Sequence, residues 1–154
     1  MSGQFHHVSL TVSDLVVSQK FYALFGYQLE RNFQDEQVTI YMLENQGSRI
    51  ELFHFNGETF TPIPEPLMTL RKMGITHFAL RVSGLETFHR KLSEVTNITT
   101  IYNAKLGSFR YFFCSHLEGT QIETIEEYNQ IPLLSLKHHR RRPQKRRGRQ
   151  HRAH

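Results

Sequence analysis

The sequence repeats itself at a shift of seventy positions, and both copies open on a histidine. One copy begins His7-Val-Ser-Leu-Thr-Val-Ser and the other begins His77-Phe-Ala-Leu-Arg-Val-Ser. Each histidine is followed later by a glutamate inside a β-like run, Glu51 in the first copy and Glu123 in the second. A duplicated unit in which each copy supplies one imidazole and one carboxylate predicts a single metal site with four protein ligands.

The apolar spacing extends the repeat beyond the histidines. A helical pattern follows each first strand, and its apolar positions recur at the same shift: Leu15, Tyr22 and Phe25, then Leu85, Leu92 and Val95. Ser13 and Asp14 are suited to cap the first helix, and Gly26 is suited to end it. Three strand candidates then follow in each half: 27–33, 38–43 and 48–55, then 99–103, 109–115 and 120–127. Each half reads βαβββ, which predicts the α+β class, with two such modules forming a cupped mixed sheet.

Length and composition fit one compact domain followed by an extension. The 154 residues include 12 Phe and 6 Tyr, which can fill a core between sheets and helices. We assign residues 1–128 to the domain, with a first module over 4–56 and a second over 74–128. The intervening residues 57–73 contain three prolines and are expected to form an extended crossover outside the sheet.

The positive charge of the chain is concentrated at its end. Residues 1–136 contain all 14 acidic residues and 10 of the Lys and Arg, whereas 137–154 contain nine Lys or Arg, four His and no acid. This block has no apolar periodicity, so we expect residues 129–154 to form a disordered, solvated tail. Contact of the tail with nucleic acid phosphates is the alternative, but the block has no aromatic residues that would stack on bases.

Cysteine usage and hydropathy indicate the compartment. The single cysteine, Cys114, excludes an intrachain disulfide and fits a reducing environment. No apolar run reaches membrane length, and the first residues do not have the pattern of a signal peptide. We therefore expect a cytoplasmic protein without membrane contact. Cys114 lies in an aromatic strand and is expected to be buried.

Alternation along the strands indicates which side chains share a face. In the first strand the even-numbered positions from 8 to 12 are apolar and suited to pack on a helix, so His7 lies on the opposite face. The same alternation places Glu51, His77 and Glu123 on the corresponding faces of their own strands. Charged groups on a half-buried face are costly unless they are paired or bind a metal. In a cupped sheet all four side chains point into one cavity.

The donor set restricts the metal and its chemistry. Two imidazoles and two carboxylates suit Ni²⁺, Zn²⁺, Co²⁺ or Mn²⁺ with one or two open coordination positions. Such an ion is a Lewis acid that stabilises an enediolate, and a loosely bound carboxylate can carry a proton between adjacent carbons. Glu51 and Glu123 are therefore both metal ligands and catalytic candidates. The histidines without repeat partners are assigned structural roles: His54, His89 and His116.

In this order and spacing, the motifs resemble those of the vicinal oxygen chelate superfamily, the glyoxalase, bleomycin-resistance and dioxygenase group. The matching stretches are Phe5-His-His-Val-Ser-Leu-Thr-Val-Ser-Asp, Phe21-Tyr with Phe25-Gly-Tyr, Arg49-Ile-Glu-Leu-Phe, Gly74-Ile-Thr-His-Phe-Ala-Leu-Arg-Val and His116-Leu-Glu-Gly-Thr-Gln-Ile-Glu. The resemblance covers residues 4–128 and is closest to the glyoxalase I (lactoylglutathione lyase) branch. The family's Asp-Pro-Asp-Gly turn is degenerate at 116–119 and lacks its proline, while Glu123 is in place.

The resemblance implies a function that depends on the ligand set. Four protein ligands are typical of the glyoxalase I and epimerase branch, whereas the extradiol dioxygenases use Fe²⁺ with two histidines and one carboxylate. Glu51, as the fourth ligand, favours proton transfer, because it occupies a position that dioxygen and a chelating catechol need. We expect a divalent-metal-dependent, glyoxalase-like lyase or isomerase acting on a small 2-oxo compound or its thiol adduct.

The resemblance also bears on substrate and assembly. Bacterial glyoxalase I enzymes hold glutathione through an arginine and an asparagine whose places are taken here by Thr11 and Phe55, so glutathione itself is not predicted. Arg49 and Arg81 are candidates to bind a substrate carboxylate, with pairing to neighbouring acids as the alternative. The modules pair either within one chain or across a homodimer. The resemblance favours the dimer, in which the first module of one chain meets the second module of the other.

Other functions remain open from the sequence. One group keeps the metal and changes the chemistry, to an epimerase, a non-haem iron dioxygenase or a thiol transferase that acts on an antibiotic. The other is a non-catalytic small-molecule-binding protein of the drug-resistance kind, a branch that generally lacks the metal ligands. The presence and identity of a bound metal distinguish these classes.

Overall fold

The computed structural model of the protein describes residues 1–63 and 65–128, which fold into two βαβββ modules. The first contains β1 (Val8–Thr11), α1 (Leu15–Ala23), β2 (Gln28–Gln34), β3 (Val38–Asn45) and β4 (Ser48–Phe55). The second contains β5 (Phe78–Arg81), α2 (Leu85–Ser93), β6 (Tyr102–Asn103), β7 (Phe109–Ser115) and β8 (Gln121–Glu127). The predicted α+β class and both modules are confirmed. The tail assigned to 129–154 lies outside the described residues.

Each module forms its own four-stranded mixed sheet. The strand orders are β1-β4-β3-β2 and β5-β8-β7-β6. In both sheets the first strand runs parallel to the last, with Ser9 opposite Glu51 in one and Ala79 opposite Glu123 in the other. The repeat in sequence is therefore a repeat of strand register. No ladder joins the two sheets within the described residues, so β1 and β5 are sheet edges.

The first helix begins and ends where its sequence signals predict. The Asp14 side chain accepts a hydrogen bond from the backbone N–H of Val17 at 3.0 Å, which satisfies a donor of the first turn. The helix ends at Ala23, and Gly26 takes a φ of 92°, a conformation that favours glycine. Neither helix of the described residues is long and apolar enough to cross a membrane.

The strand predicted over 99–103 is shorter than expected. Only Tyr102–Asn103 pairs as a strand, and Ile98 forms an isolated bridge with Cys114. Between them, the Thr99 hydroxyl accepts the backbone N–H of Phe113 at 3.0 Å. Because a side chain has taken the place of a ladder carbonyl there, the regular pairing is interrupted.

The two modules share one core. The ring of Phe25 stacks on Phe88 of α2 at 5.5 Å, and Tyr22 approaches Phe78 of β5 at 6.5 Å. The aliphatic and aromatic residues buried to below 2% exposure come from both sheets and from both helices: Tyr22, Leu43, Ile50, Leu52, Leu85, Leu92, Phe112 and Ile122. Cys114 is buried among them, as predicted, and burial raises the pKa of its thiol to about 12. It is an inert core residue.

The second helix is capped by a residue from a distant strand. Its N-cap is Gly84, which has no side chain, whereas the repeat-equivalent Asp14 caps α1 by itself. In place of that cap, the Glu126 carboxylate of β8 accepts hydrogen bonds from the backbone N–H groups of Gly84 at 2.7 Å and Leu85 at 3.2 Å. Arg110 donates to the other oxygen of Glu126 at 2.8 Å. The hydrogen bond from Arg110, with those from the backbone, lowers the pKa of the Glu126 carboxyl.

We predict that Glu126→Ala lowers the free energy of unfolding by about 1–2 kcal/mol, the usual cost of losing a helix cap. Chemical denaturation monitored by circular dichroism measures this. Because the folded-state pKa is lowered, the contribution is present above the unfolded-state value of about 4.3 and is lost as the pH falls through the folded-state value. Glu127→Ala, at an exposed neighbouring carboxylate, is the matched control. Equal destabilisation by both variants would contradict the capping role.

Candidate functional site

The first predicted ligand pair, His7 and Glu51, meets on the face of sheet one that α1 does not cover. The two side chains are brought together because β1 and β4 are parallel neighbours. Nε2 of His7 lies 3.3 Å from Oε1 of Glu51, and the Ser9 hydroxyl donates to the same oxygen at 2.5 Å. Nδ1 of His7 is 2.8 Å from Nδ1 of His6, so Nε2 is the nitrogen directed at the carboxylate.

The second pair, His77 and Glu123, has the same arrangement on sheet two. Nε2 of His77 lies 3.0 Å from Oε2 of Glu123 across the parallel strands β5 and β8. The Thr76 hydroxyl is 2.7 Å from Nδ1 of His77, and the ring of Phe113 packs against the imidazole at 4.8 Å. Both pairs are about one-fifth to one-third exposed, so a ligand can reach them.

The two pairs fit a divalent metal by donor type and by spacing. Ligand atoms at about 2.0–2.2 Å from an ion and at right angles to each other are about 3 Å apart, which is the separation within each pair. A hydrogen bond at Nδ1 orients a histidine that binds metal through Nε2, and both histidines have a polar partner at Nδ1. Without a metal, His77 and Glu123 are hydrogen-bonded at 3.0 Å, whereas His7 and Glu51 are in polar contact at 3.3 Å and the hydrogen bond to Glu51 comes from Ser9.

The four predicted ligands meet as two pairs and not as one set. Within the described residues of a single chain, no three His, Cys, Asp or Glu side chains lie close enough to hold one ion. Each pair belongs to its own sheet, and the modules pack through side chains of α1, of α2 and of Phe78 on β5, while the backbone edge of β5 stays unpaired among the described residues. The expectation that all four point into one cavity is therefore not met within one chain.

Arg49 and Arg81 differ in how closely they pair with neighbouring carboxylates. The guanidinium of Arg49 donates to both oxygens of Glu30, at 2.9 and 3.4 Å. Arg81 lies 3.9 Å from Glu127, and its side chain is 71% exposed. Arg81 also lines a cavity of about 620 Å³ that contains Glu123. Of the two, Arg81 is therefore the one available to a carboxylate bound beside Glu123.

Gln121 anchors the crossover segment to sheet two, a role that no motif in the sequence indicates. It lies on the same face as Glu123, two residues earlier in β8, and is 3% exposed. Its amide oxygen accepts the backbone N–H groups of Met68 at 2.7 Å and Thr69 at 3.3 Å. These bonds fix the crossover segment over the end of sheet two that carries His77.

His116 and Glu118, in the degenerate turn before β8, connect this turn to the start of α1. Nδ1 of the buried His116 lies 2.7 Å from Glu118, whose other carboxylate oxygen accepts from the Ser13 N–H at 3.1 Å and from its hydroxyl at 3.2 Å. Burial alone raises the pKa of Glu118, but the hydrogen bonds from His116 and Ser13 outweigh it and leave the pKa lowered. The turn before β8 therefore holds the start of α1.

The sequence matches a family model, the Glyoxalase/Bleomycin resistance protein/Dioxygenase superfamily, over residues 6–98, which is more than half of the chain. The chain belongs to this superfamily. The match includes the first module and continues through α2, whereas the resemblance of the motifs extends further, to residue 128. No curated protein matches the chain.

Solved structures show the same fold at low identity. A glyoxalase family protein from Bacillus cereus is 22% identical, with 80% of this chain and 93% of that chain covered and a TM-score of 0.66. The trypanothione-dependent glyoxalase I of Leishmania major is 21% identical, with coverages of 82% and 88% and a TM-score of 0.62. A genomically encoded fosfomycin resistance protein of Listeria monocytogenes, solved with Mn(II) and sulfate, is 13% identical, with coverages of 84% and 96% and a TM-score of 0.58.

We predict that Gln121→Ala releases the crossover and makes the bonds at Arg71 and Lys72 more sensitive to trypsin. The two backbone donors would lose their buried acceptor, which costs about 1–3 kcal/mol. Gln37→Ala is the matched control, because it makes the same substitution at an exposed position between β2 and β3, away from the crossover. Limited proteolysis followed by mass spectrometry compares the cleavage rates. Unchanged cleavage in Gln121→Ala would show that other contacts hold the segment.

Proposed function

We propose that two copies of the chain form a divalent-metal centre from His7 and Glu51 of one copy and His77 and Glu123 of the other. We further propose that this centre catalyses a glyoxalase-like proton transfer on a small 2-oxo compound or its thiol adduct. One observation carries the proposal: two imidazole–carboxylate pairs occur in equivalent registers on two repeat-related sheets. Each pair is half of a four-ligand set of the kind that suits Ni²⁺, Zn²⁺, Co²⁺ or Mn²⁺.

The proposal requires a homodimer, and the free edges of the sheets support it. Strands β1 and β5 are edges among the described residues, and each lies beside one of the two pairs. Sheet edges are sites where a second chain can pair. On sheet one, the face that carries Glu51 also exposes Phe33 to 54%. A two-fold arrangement that placed the first module of one copy against the second module of the other would produce two equivalent sites.

In this proposal, residues of the chain carry out the proton transfer and bind the substrate. The metal, when bound, supplies Lewis acidity toward the oxygens of the substrate. The Glu51 carboxylate takes the proton from the carbon beside the carbonyl and returns it to the neighbouring carbon. The Ser9 hydroxyl holds one oxygen of Glu51 in a fixed position. Glu123 is the second candidate for this role, and Arg81 would bind a carboxylate of the substrate.

A second candidate function keeps the same centre and changes the substrate. This candidate is a thiol transferase that acts on an antibiotic, and the likeness in fold to the Listeria fosfomycin resistance protein, whose structure contains Mn(II), makes fosfomycin the antibiotic to test. For the glyoxalase-like reaction, the apolar Phe55 at the place of a glutathione-binding asparagine supports a thiol other than glutathione. Assays with methylglyoxal–thiol adducts and with fosfomycin plus thiols separate the two functions. Iron dependence with oxygen uptake would instead indicate a dioxygenase.

We predict that the chain shortened near residue 130 binds about one divalent ion per chain, because two exchanged sites serve two chains. Shortening removes the four histidines of residues 137–154, which would bind metal independently. His77→Ala and Glu123→Ala should abolish binding measured by calorimetry and elemental analysis. His89→Ala is the matched control, since that histidine bonds the Thr99 carbonyl. Full metal retention in both ligand variants would end the site assignment.

We predict that Glu51→Gln keeps the metal and loses about 100-fold or more of the turnover, the range expected for a lost general base. Steady-state kinetics on metal-loaded protein measure this, with metal content determined on the same samples. A wild-type rate in Glu51→Gln would mean that Glu51 is not the base, and the proton-transfer role would then be assigned to Glu123.

We predict that mixing His7→Ala chains with Glu123→Ala chains restores metal binding. In an exchanged dimer the mixed pair has one site with both substitutions and one site with neither. Native mass spectrometry confirms that the subunits have exchanged, and metal content gives the result. If exchange is complete and no metal returns, the shared-site arrangement is wrong.

A further inference from the structure

A cavity of about 700 Å³ lies at the carboxyl ends of β1 and β4, and none of the four proposed metal ligands lines it. Its volume is within the range of about 300–1,000 Å³ that is usual for small-molecule sites. Thr11 and Phe55, the last residues of the two strands, line it together with residues 58–63 of the crossover. Glu118, from the turn before β8, also lines it, so both modules contribute to the cavity.

The crossover is held against the turn before β8 by a close approach of backbone. Gly119 has a φ of 80°, and a Cβ at this position would lie 3.2 Å from the carbonyl oxygen of Ile63. Glycine alone combines this φ with the absence of a side chain. The contact fixes the crossover residues of the lining beside Glu118.

Glu118 is a fixed carboxylate within this lining. Its side chain is 14% exposed, and its position is set by the hydrogen bonds with His116 and Ser13, of which Ser13 also lines the cavity. No Lys or Arg among residues 1–63 and 65–128 forms an ion pair with it. A partly buried carboxylate without a cationic partner is costly. Because a carboxylate has about four acceptor positions, Glu118 can accept a further hydrogen bond from a bound cation.

The polar groups of the lining favour a ligand that donates hydrogen bonds. Glu58 is the second carboxylate, beside Phe55, and none of the described residues that line the cavity is Lys or Arg. Nδ1 of His54 lies 3.1 Å from the carbonyl oxygen of Val12, which can only accept, so the neutral ring has its proton on Nδ1 and its lone pair on Nε2. The remaining polar side chains are hydroxyls, which accept as well as donate: Thr11, Ser13, Thr59 and Thr61.

Two phenylalanines provide an apolar surface in the same cavity as the carboxylates. The rings of Phe55 and Phe60 meet edge to face with their centroids 6.0 Å apart, and Phe60 is 57% exposed. The face of an aromatic ring attracts a cation and also binds a hydrocarbon body. Aromatic rings and two carboxylates, without Lys or Arg, therefore favour an organic cation over a neutral or anionic ligand.

We propose that this cavity binds a primary ammonium ligand with an apolar body, such as an arylalkylamine. The ammonium group donates to Glu118, with Glu58 as the second negative charge, and the apolar body packs against Phe55 and Phe60. None of these four residues belongs to the proposed metal set. Binding of the amine needs no metal, so it is tested independently of the proposed metal centre.

The test is calorimetric titration of the full chain with 2-phenylethylamine, in the presence of EDTA. The titration is done at about pH 8, above the ordinary range of imidazole and below that of an alkylammonium group. The amine should bind saturably with one site per chain. The neutral analogue 2-phenylethanol should bind about tenfold more weakly or less, because it forms no charge-assisted hydrogen bond. The anionic analogue 3-phenylpropanoate should not displace the amine.

Variants of the lining identify the site. Glu118→Gln should weaken binding of the amine about tenfold, and Glu58→Gln, at an exposed position, about threefold. Phe60→Leu should weaken it about threefold, through the loss of the aromatic face. The matched controls are Glu36→Gln and Phe33→Leu, at exposed positions outside this cavity, and they should leave the affinity unchanged. Circular dichroism verifies that each variant is folded.

Three results would overturn the proposal. Equal affinity for 2-phenylethanol would show that the cavity does not select a cation. Unchanged affinity in both Glu58→Gln and Phe60→Leu would place the amine elsewhere on the acidic part of the chain, and these exposed substitutions leave the hydrogen bonds of Glu118 intact. Absence of saturable binding at millimolar amine would show that the cavity does not take a ligand of this class.

Discussion

The parallel pairing of the first strand of each module with its last strand is the constraint on which the rest of the structure depends. It brings residues from the two ends of a module side by side, so that His7 meets Glu51 and His77 meets Glu123. A parallel pair needs a long connection, and here a helix and two further strands provide it. The apolar face of that helix then sets which side of the sheet is buried and which side carries the charged pairs.

The packing between the modules determines where the two imidazole–carboxylate pairs lie and which strand edges stay unpaired. Aromatic residues of α1 and of the turn after it pack against the second module, where Phe25 contacts Phe88 and Phe21 contacts His116. This shared core joins the modules through their helices and leaves the β1 and β5 edges unpaired among the described residues. Within one chain, the described residues therefore form two separate imidazole–carboxylate pairs. In the dimer that we propose, a second copy would supply the other pair to each.

The two modules also show where copies of one unit have diverged. Asp14 caps the first helix, and its counterpart Gly84 depends on Glu126 from the last strand. At the place of Glu126 the first module has His54, which bonds the Val12 carbonyl instead. His116 and Glu118 have replaced the acidic turn of the family with a buried pair that bonds the start of α1. These changes are local, and strand register is kept in both modules.

The sequence by itself determined the class, the two modules, the cap at Asp14 and the two imidazole–carboxylate pairs, because periodicity and repeat spacing fix which residues share a strand face. It misjudged the length of β6, since the Thr99 hydroxyl competes with the ladder through a contact that no local pattern reveals. It also assigned no partners to His116 and Gln121, because Glu118 lies across a turn from His116, and Met68 and Thr69, which bond Gln121, are 53 and 52 positions away along the chain. Only the tertiary structure decided that the pairs stay apart within one chain, since the relative placement of two modules depends on how their cores interlock and not on the repeat that generated them.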